Sequence, residues 1–133
     1  MAGLTQYLQK KLLDHFLKTA AYTQPTNVYV GLFTAAPSDT GGGTEVSGTG
    51  YARIVCNAWN AATSASPSLA DNTGIINFGT AGAGGWGVVT HFGIFDALSG
   101  VNLLGWSALT IPKTINEGDP VTFPAGALDI TLD

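Results

Sequence analysis

The spacing of apolar residues changes once along this chain, near Pro25, and that change limits the folds open to it. Before it, apolar residues recur at steps of three, four and one, which predicts an amphipathic helix over residues 4–18 with Thr5 as its cap. After it the period is two: Val and Leu at 28, 30 and 32 alternate with Tyr, Gly and Phe at 29, 31 and 33, which predicts a β-strand. One helix followed only by strands argues against a parallel α/β sheet.

Turn-forming residues divide the later part of the chain into about seven short runs, which is typical of an antiparallel sandwich or a small barrel. We expect strands at 28–33, 51–59, 75–78, 88–95 and 101–109, one ending at Ile115, one beginning at Val121, and one at 128–133, with turns at 96–100 and 116–119. The prediction is therefore a mainly β fold, an antiparallel β-sandwich of jelly-roll or immunoglobulin-like type with one N-terminal amphipathic α-helix. Residues 1–133 form a single domain, with a helical arm at 1–24 and the β-sandwich at 25–133.

Charge and composition exclude several classes of partner. The net charge is −4, and five lysines and arginines are too few for a surface that binds nucleic acid. No apolar run approaches the roughly 20 residues that cross a bilayer, so we expect no membrane insertion. Cys56 is the only cysteine, which excludes an internal disulfide and a cysteine-based zinc site, and its apolar neighbours predict a buried side chain.

Residues 82–87 contain a literal G-x-G-x-x-G, but a dinucleotide site needs a helix after it. The β-branched residues 88–90 follow instead, which favours a flexible loop between strands. His15 and His91 lack the nucleophile and acid partners of a catalytic triad. The carboxylates stand beside Gly, Asn and Ser, as in ordinary turns, and residues 116–119 fit a hairpin turn better than a calcium loop. We therefore predict no catalytic residue, no metal site and no cofactor, and a protein that is not an enzyme.

Two features are candidates for contact with partners. The apolar stripe of the helix, represented by Leu8, Leu12 and Phe16, is a candidate subunit interface. Trp86 lies in a glycine-rich stretch, and we expect it to be exposed and available for contact.

Four blocks of sequence carry a resemblance to a known family. They are residues 12–15 (LLDH), 28–37 (VYVGLFTAAP), 41–53 (GGGTEVSGTGYAR) and 90–96 (THFGIFD), the last followed by 102–104 (NLL). With them the chain resembles a family of small virion proteins of tailed bacteriophages, commonly labelled tail-fibre or minor structural proteins. The resemblance extends from about residue 4 to residue 132. It implies a non-enzymatic structural component of the virion, made in the cytoplasm of the bacterial host.

The place in the particle leaves alternatives open. In the first, the protein is a small exposed β-domain that decorates or cements the capsid or belongs to a tail fibre, bound to other virion proteins and to copies of itself. We expect a cyclic homo-oligomer, a trimer if it follows the symmetry of the particle. In the second, it is a receptor-binding module at a fibre tip that recognises a host surface glycan or protein through residues 35–50 and 79–87. A glycan-cleaving enzyme is the third.

Overall fold

The computed structural model describes residues 3–100 and 102–132. Within them lie one helix and ten strands, and all the strand pairs are antiparallel. This confirms the mainly β fold with one helix near the N-terminus. The elements are β1 Gly3–Leu4, α1 Gln6–Phe16, β2 Tyr29–Ala35, β3 Thr44–Glu45, β4 Ile54–Val55, β5 Ser68–Asp71, β6 Ile76–Thr80, β7 Gly87–Phe95, β8 Leu103–Ile115, β9 Pro120–Phe123 and β10 Asp129–Leu132.

Six strands form the main sheet, in the order β1-β8-β7-β2-β3, with β4 also paired to β2. Two ribbons, β5 with β10 and β6 with β9, complete the strand pairs of the described residues. The main core joins Leu32, Phe92 and Leu104 of the sheet to Phe78 of a ribbon and to Leu128. The arrangement is therefore sandwich-like, with apolar side chains of both layers meeting between them.

The opposite face of the main sheet is also buried. Phe33, Phe95, Leu103 and Trp106 form a second apolar cluster, called the outer cluster below, and Tyr29 packs against it. Burial on both faces explains why β7 ends in four consecutive buried residues instead of alternating with polar ones.

Several predicted boundaries are wrong because the partner of a strand lies far away in the sequence. The turn at 116–119 exists, but it does not close a hairpin, since β8 pairs with β7 and β9 pairs with β6. The strand predicted at 51–59 is reduced to β4. Beyond β4 the N–H of Val28 donates to the side chain of Asn57, at 2.9 Å, instead of to the backbone of a paired strand. Residues 68–71, for which no strand was predicted, form β5 against β10.

The helix is shorter than predicted at both ends. Leu4 lies in β1, which pairs with Gly105 of β8, and α1 ends at Phe16. Lys18 follows with a φ of 66°, a left-handed conformation that stops the helix. The N-terminal segment is thus hydrogen-bonded to the main sheet before the helix begins.

Candidate functional site

An ion pair joins Glu45 of β3 to Arg53, within the glycine-rich loop region 36–53 that connects β2 to β4. The guanidinium of Arg53 holds the carboxylate of Glu45 in a bidentate pair, with Nε 2.9 Å from Oε2 and Nη2 2.8 Å from Oε1. The side chain of Arg53 is 9% exposed and that of Glu45 24%. A fork-to-fork pair that is mostly shielded from water depends on both partners, because either one alone would be a poorly solvated charge.

Arg53 also reaches the turn between β7 and β8. Nη1 donates to the carbonyl oxygen of Ala97 at 3.0 Å and Nη2 to that of Gly100 at 3.3 Å. Its guanidinium carbon lies 3.4 Å from the centre of the Phe95 ring, a cation–π contact. One side chain therefore joins two loops at the same end of the main sheet and covers part of the outer cluster.

Tyr51 completes this arrangement, which we call the Glu45–Arg53 clamp. Its hydroxyl donates to Oε2 of Glu45 at 2.6 Å and accepts the backbone N–H of Leu32 at 2.9 Å. Burial, together with the hydrogen bond to Glu45, raises the pKa of Tyr51 far above its usual value. The phenol therefore stays protonated at neutral pH and acts as a structural hydrogen-bond donor.

Two glycines bring the clamp and the outer cluster close to the sheet. A methyl group at Gly93 would lie 2.7 Å from Cδ1 of Leu103 and 2.9 Å from Cε1 of Phe33. At Gly31 it would lie 2.8 Å from Cε2 of Phe95 and 2.9 Å from Oε2 of Glu45. Neighbouring side chains therefore occupy the space that a side chain at these two positions would need.

The prediction that Trp86 is exposed is wrong. Its side chain is 5% exposed, and its Nε1 donates to the carbonyl oxygen of Thr49 at 2.9 Å. The physical reason is a close approach of two loops: a Cβ at Gly48 would lie 2.5 Å from the Gly85 oxygen and 2.6 Å from Cδ1 of Trp86. The glycines around Trp86 thus allow dense packing, and its indole anchors both loops instead of offering a contact surface. A strand, β7, follows the G-x-G-x-x-G stretch, as predicted.

Helix α1 has the predicted cap, Thr5, but leaves apolar residues uncovered. The hydroxyl of Thr5 accepts the N–H of Leu8 and donates to the carbonyl oxygen of Leu103 at 2.6 Å, so the cap is confirmed. Leu8 and Leu12 are half-buried along a groove of about 580 Å³ beside the helix. Phe16 is 65% exposed and Leu17 64%. The three candidate interface residues therefore differ, with Phe16 open to solvent and the two leucines facing the groove.

The two histidines have structural partners, and the single cysteine is partly buried. Nδ1 of His15 accepts the backbone N–H of Tyr22 at 3.0 Å, which caps the chain after the helix. Nδ1 of His91 lies 2.8 Å from the hydroxyl of Thr90, and burial lowers the pKa of His91, so its ring is neutral at pH 7. Cys56 is half-buried, less than predicted, and burial raises the pKa of its thiol.

The carboxylates follow the turn prediction only in part. Asp119 fits it, because its Oδ2 accepts the N–H of Asn116 at 2.8 Å across the turn. Glu45 does not, since it lies in β3 and is a member of the clamp.

In the described part of the chain, no group of three or more His, Cys, Asp or Glu side chains is placed to hold a metal ion. None of the helices described there is both long and apolar enough to span a membrane.

Sequence reasoning missed the clamp. The one available signal was the spacing of Tyr51 and Arg53, which places both side chains on one face of an extended segment. Their partner Glu45 is separated from them by residues 46–50, and its position relative to them depends on how this segment folds.

A search of curated proteins finds no match. A protein-family model described as Podophage GP4 fiber I protein gp80 matches residues 3–131, which include β1, the clamp and both ribbons except Leu132, the last residue of β10. The chain therefore belongs to this family of phage tail-fibre structural proteins.

Proposed function

We propose that the protein is a non-enzymatic structural domain of the fibre, exposed on the virion and bound to a second copy of itself through helix α1. The observation that carries the proposal is the uncovered apolar end of the helix. Leu13, Phe16 and Leu17 are each more than half exposed, and their spacing places them on one side. Clustered exposed apolar side chains of this kind are typical of protein interaction sites.

The groove beside the helix supplies a complementary surface. It is lined by Leu8, Leu12, Tyr22, Val28 and Trp59, among others, and an apolar cleft of about 230 Å³ lies next to it. The exposed Phe16 of one copy can therefore pack into this apolar groove on the next copy. This is a head-to-tail contact, which closes into a ring when the rotation between copies permits it. It therefore supports the cyclic homo-oligomer predicted from the sequence.

Charge favours a second copy as the occupant. Residues 1–24 carry three lysines and one aspartate, a net charge of +2, whereas residues 25–133 carry two cations and eight carboxylates, a net charge of −6. The helical segment of one copy is thus attracted to the acidic body of another.

The test uses the double variant Phe16→Ser/Leu17→Ser in phage particles that lack the native protein. Because both side chains are mostly exposed, we expect its melting temperature to stay within about 2 °C of wild type. Its incorporation into particles should fall at least about tenfold, as for the loss of a buried apolar anchor. Incorporation at the wild-type level would contradict the proposal.

A matched control is available in Ile75→Ser/Ile111→Ser. These side chains are 73% and 74% exposed, so the control removes as much exposed apolar surface at positions outside the helix. We expect it to be incorporated normally. If the control fails equally, the effect reflects the general loss of apolar surface and the helix has no special role.

Recognition of a host surface glycan or protein is the second candidate role. The observation in its favour is a shallow pocket formed by residues 36–40 and Trp106 at the glycine-rich loop. Fluorescently labelled protein applied to host cells tests it: saturable staining supports the role, and staining that never saturates or is absent opposes it.

A further inference from the structure

The indole of Trp106 differs from the other two in this chain. Nε1 of Trp59 donates to the Cys56 oxygen at 2.8 Å, and Nε1 of Trp86 donates to the Thr49 oxygen at 2.9 Å. Nε1 of Trp106 is buried and has no acceptor among residues 3–100 and 102–132. A buried donor without a partner costs about 1–3 kcal/mol, so it calls for a functional explanation.

Trp106 lies at the wall of a pocket. The pocket has a volume of about 480 Å³ and is lined by Trp106 and residues 36–40. That volume lies within the range of roughly 300–1,000 Å³ that is usual for small-molecule sites. Ser38 and Gly41 exchange backbone hydrogen bonds of 2.8 and 2.9 Å, and the carbonyl oxygen of Asp39 accepts the N–H of Gln6 at 2.8 Å. The pocket wall is therefore held in place from both sides.

The polar groups of the pocket match a ligand with several hydroxyl groups. Asp39 offers an exposed carboxylate, and the hydroxyls of Ser38 and Thr40 lie 3.0 Å apart beside it. Ala36 and Pro37 add apolar surface. In the described part of the chain, the residues lining the pocket include no lysine or arginine, so the chemistry favours a neutral ligand over an anion.

We propose that this pocket binds one neutral sugar residue, with a sugar hydroxyl accepting the N–H of Trp106 and another donating to the carboxylate of Asp39. Sugar hydroxyls suit this pair of groups, because each hydroxyl both donates and accepts. The inference extends the second candidate role. Its test separates the two, because sugar binding is measured on the isolated protein whereas staining is measured on host cells.

A small shift of the loop completes the contact. Since Nε1 is buried, a sugar oxygen reaches it only when residues 36–40 move slightly outward. Gly41 and Gly42 follow the loop with φ values of 96° and 76°, and no atom lies within 4 Å of the position that a Cβ would take at either. Both backbone conformations suit glycine, and the movement has to lengthen the hydrogen bonds that Ser38, Asp39 and Gly41 make at this wall.

The experiment is a titration followed by amide and indole NMR spectra, in which the three tryptophans give three indole N–H signals. The probes are glucose, galactose, mannose, rhamnose and N-acetylglucosamine, each up to about 20 mM, a concentration that fills a site of millimolar affinity. At least one sugar should move the Trp106 indole signal downfield as its N–H gains an acceptor, while the Trp59 and Trp86 signals stay in place. A Trp106 signal that none of the five sugars moves overturns the proposal.

Variants locate the binding. Asp39→Asn should weaken binding of the active sugar at least about tenfold, the effect of losing a charge-assisted hydrogen bond. Glu117→Gln, which makes the same chemical change in the turn at 116–119, should leave affinity unchanged. Trp106→Phe should abolish binding, and a thermal melt shows whether that variant is folded. Unchanged affinity in Asp39→Asn rules out this site, whatever the behaviour of Trp106→Phe.

Discussion

Replacing Arg53 with methionine tests the clamp while keeping a long apolar side chain in place. The substitution removes the bidentate pair with Glu45 and the hydrogen bonds to the carbonyl oxygens of Ala97 and Gly100. It also removes the cation above the Phe95 ring. The Glu45 carboxylate would then keep only Tyr51 as a clamp partner. We expect the loops at this end of the sheet to loosen together.

The magnitude follows from the burial of the pair. Breaking a buried ion pair by removing one partner costs about 3–5 kcal/mol. The side chain of Glu45 is 24% exposed, so solvent screens part of the loss and we expect about 2–4 kcal/mol. A domain of this length loses about 3–4 °C in melting temperature per kcal/mol, which predicts a fall of about 6–16 °C.

Thermal melting by circular dichroism measures this fall, with Lys10→Met as the matched control. Lys10 also pairs with a carboxylate, that of Asp14, but its side chain is 75% exposed, so the control should cost no more than about 0.5 kcal/mol. A double-mutant cycle with Glu45→Gln should show a coupling of at least about 1 kcal/mol. If Arg53→Met melts like the control, or the coupling is zero, the clamp does not stabilise the fold.

Three further predictions concern packing, ionisation and capping. Gly93→Ala places a methyl group 2.7 Å from Leu103 and should lower the free energy of unfolding, measured in urea, by about 1–3 kcal/mol. As a control, Gly74→Ala places its methyl group in open space and should leave that free energy nearly unchanged. Equal effects of the two substitutions would argue against the packing described. Tyr51 has a folded-state pKa raised above 10.0, so the stability it contributes is complete below about pH 10 and declines as pH rises further. In an ultraviolet titration one phenol should therefore ionise only as the protein unfolds; Tyr51→Phe should remove this late step, and its persistence would contradict the assignment. Thr5→Val removes the helix cap and should cost about 1–2 kcal/mol, seen as a lower melting temperature, and an unchanged one would refute the capping role.

Local patterns predicted the elements that depend on near neighbours. The hairpin of β7 and β8 was predicted because a turn separates two apolar runs that pair with each other. The cap at Thr5 depends on one turn of helix and was predicted for the same reason. The partner of β9 is β6, distant in sequence, and no local pattern specifies that choice.

The site was harder to predict because glycines occur both in flexible loops and where two segments pack too closely for a side chain. Around Trp86, glycines were interpreted as flexibility and exposure, whereas Gly48 and Gly85 permit two loops to pack against a buried indole. Similarly, the stripe of the helix was predicted, but which of its residues are covered depends on how the helix lies on the sheet. Phe16 is exposed, although its place in the stripe resembles that of Leu8.

Photo-crosslinking from position 16 in intact particles tests the central claim most directly. A photoreactive phenylalanine analogue at position 16 should yield a covalent dimer of about twice the chain mass of 13.6 kDa, while the same analogue at position 75 should not. Particles that carry the protein yet give no such dimer from position 16, or give it from position 75 instead, would contradict attachment through the helix.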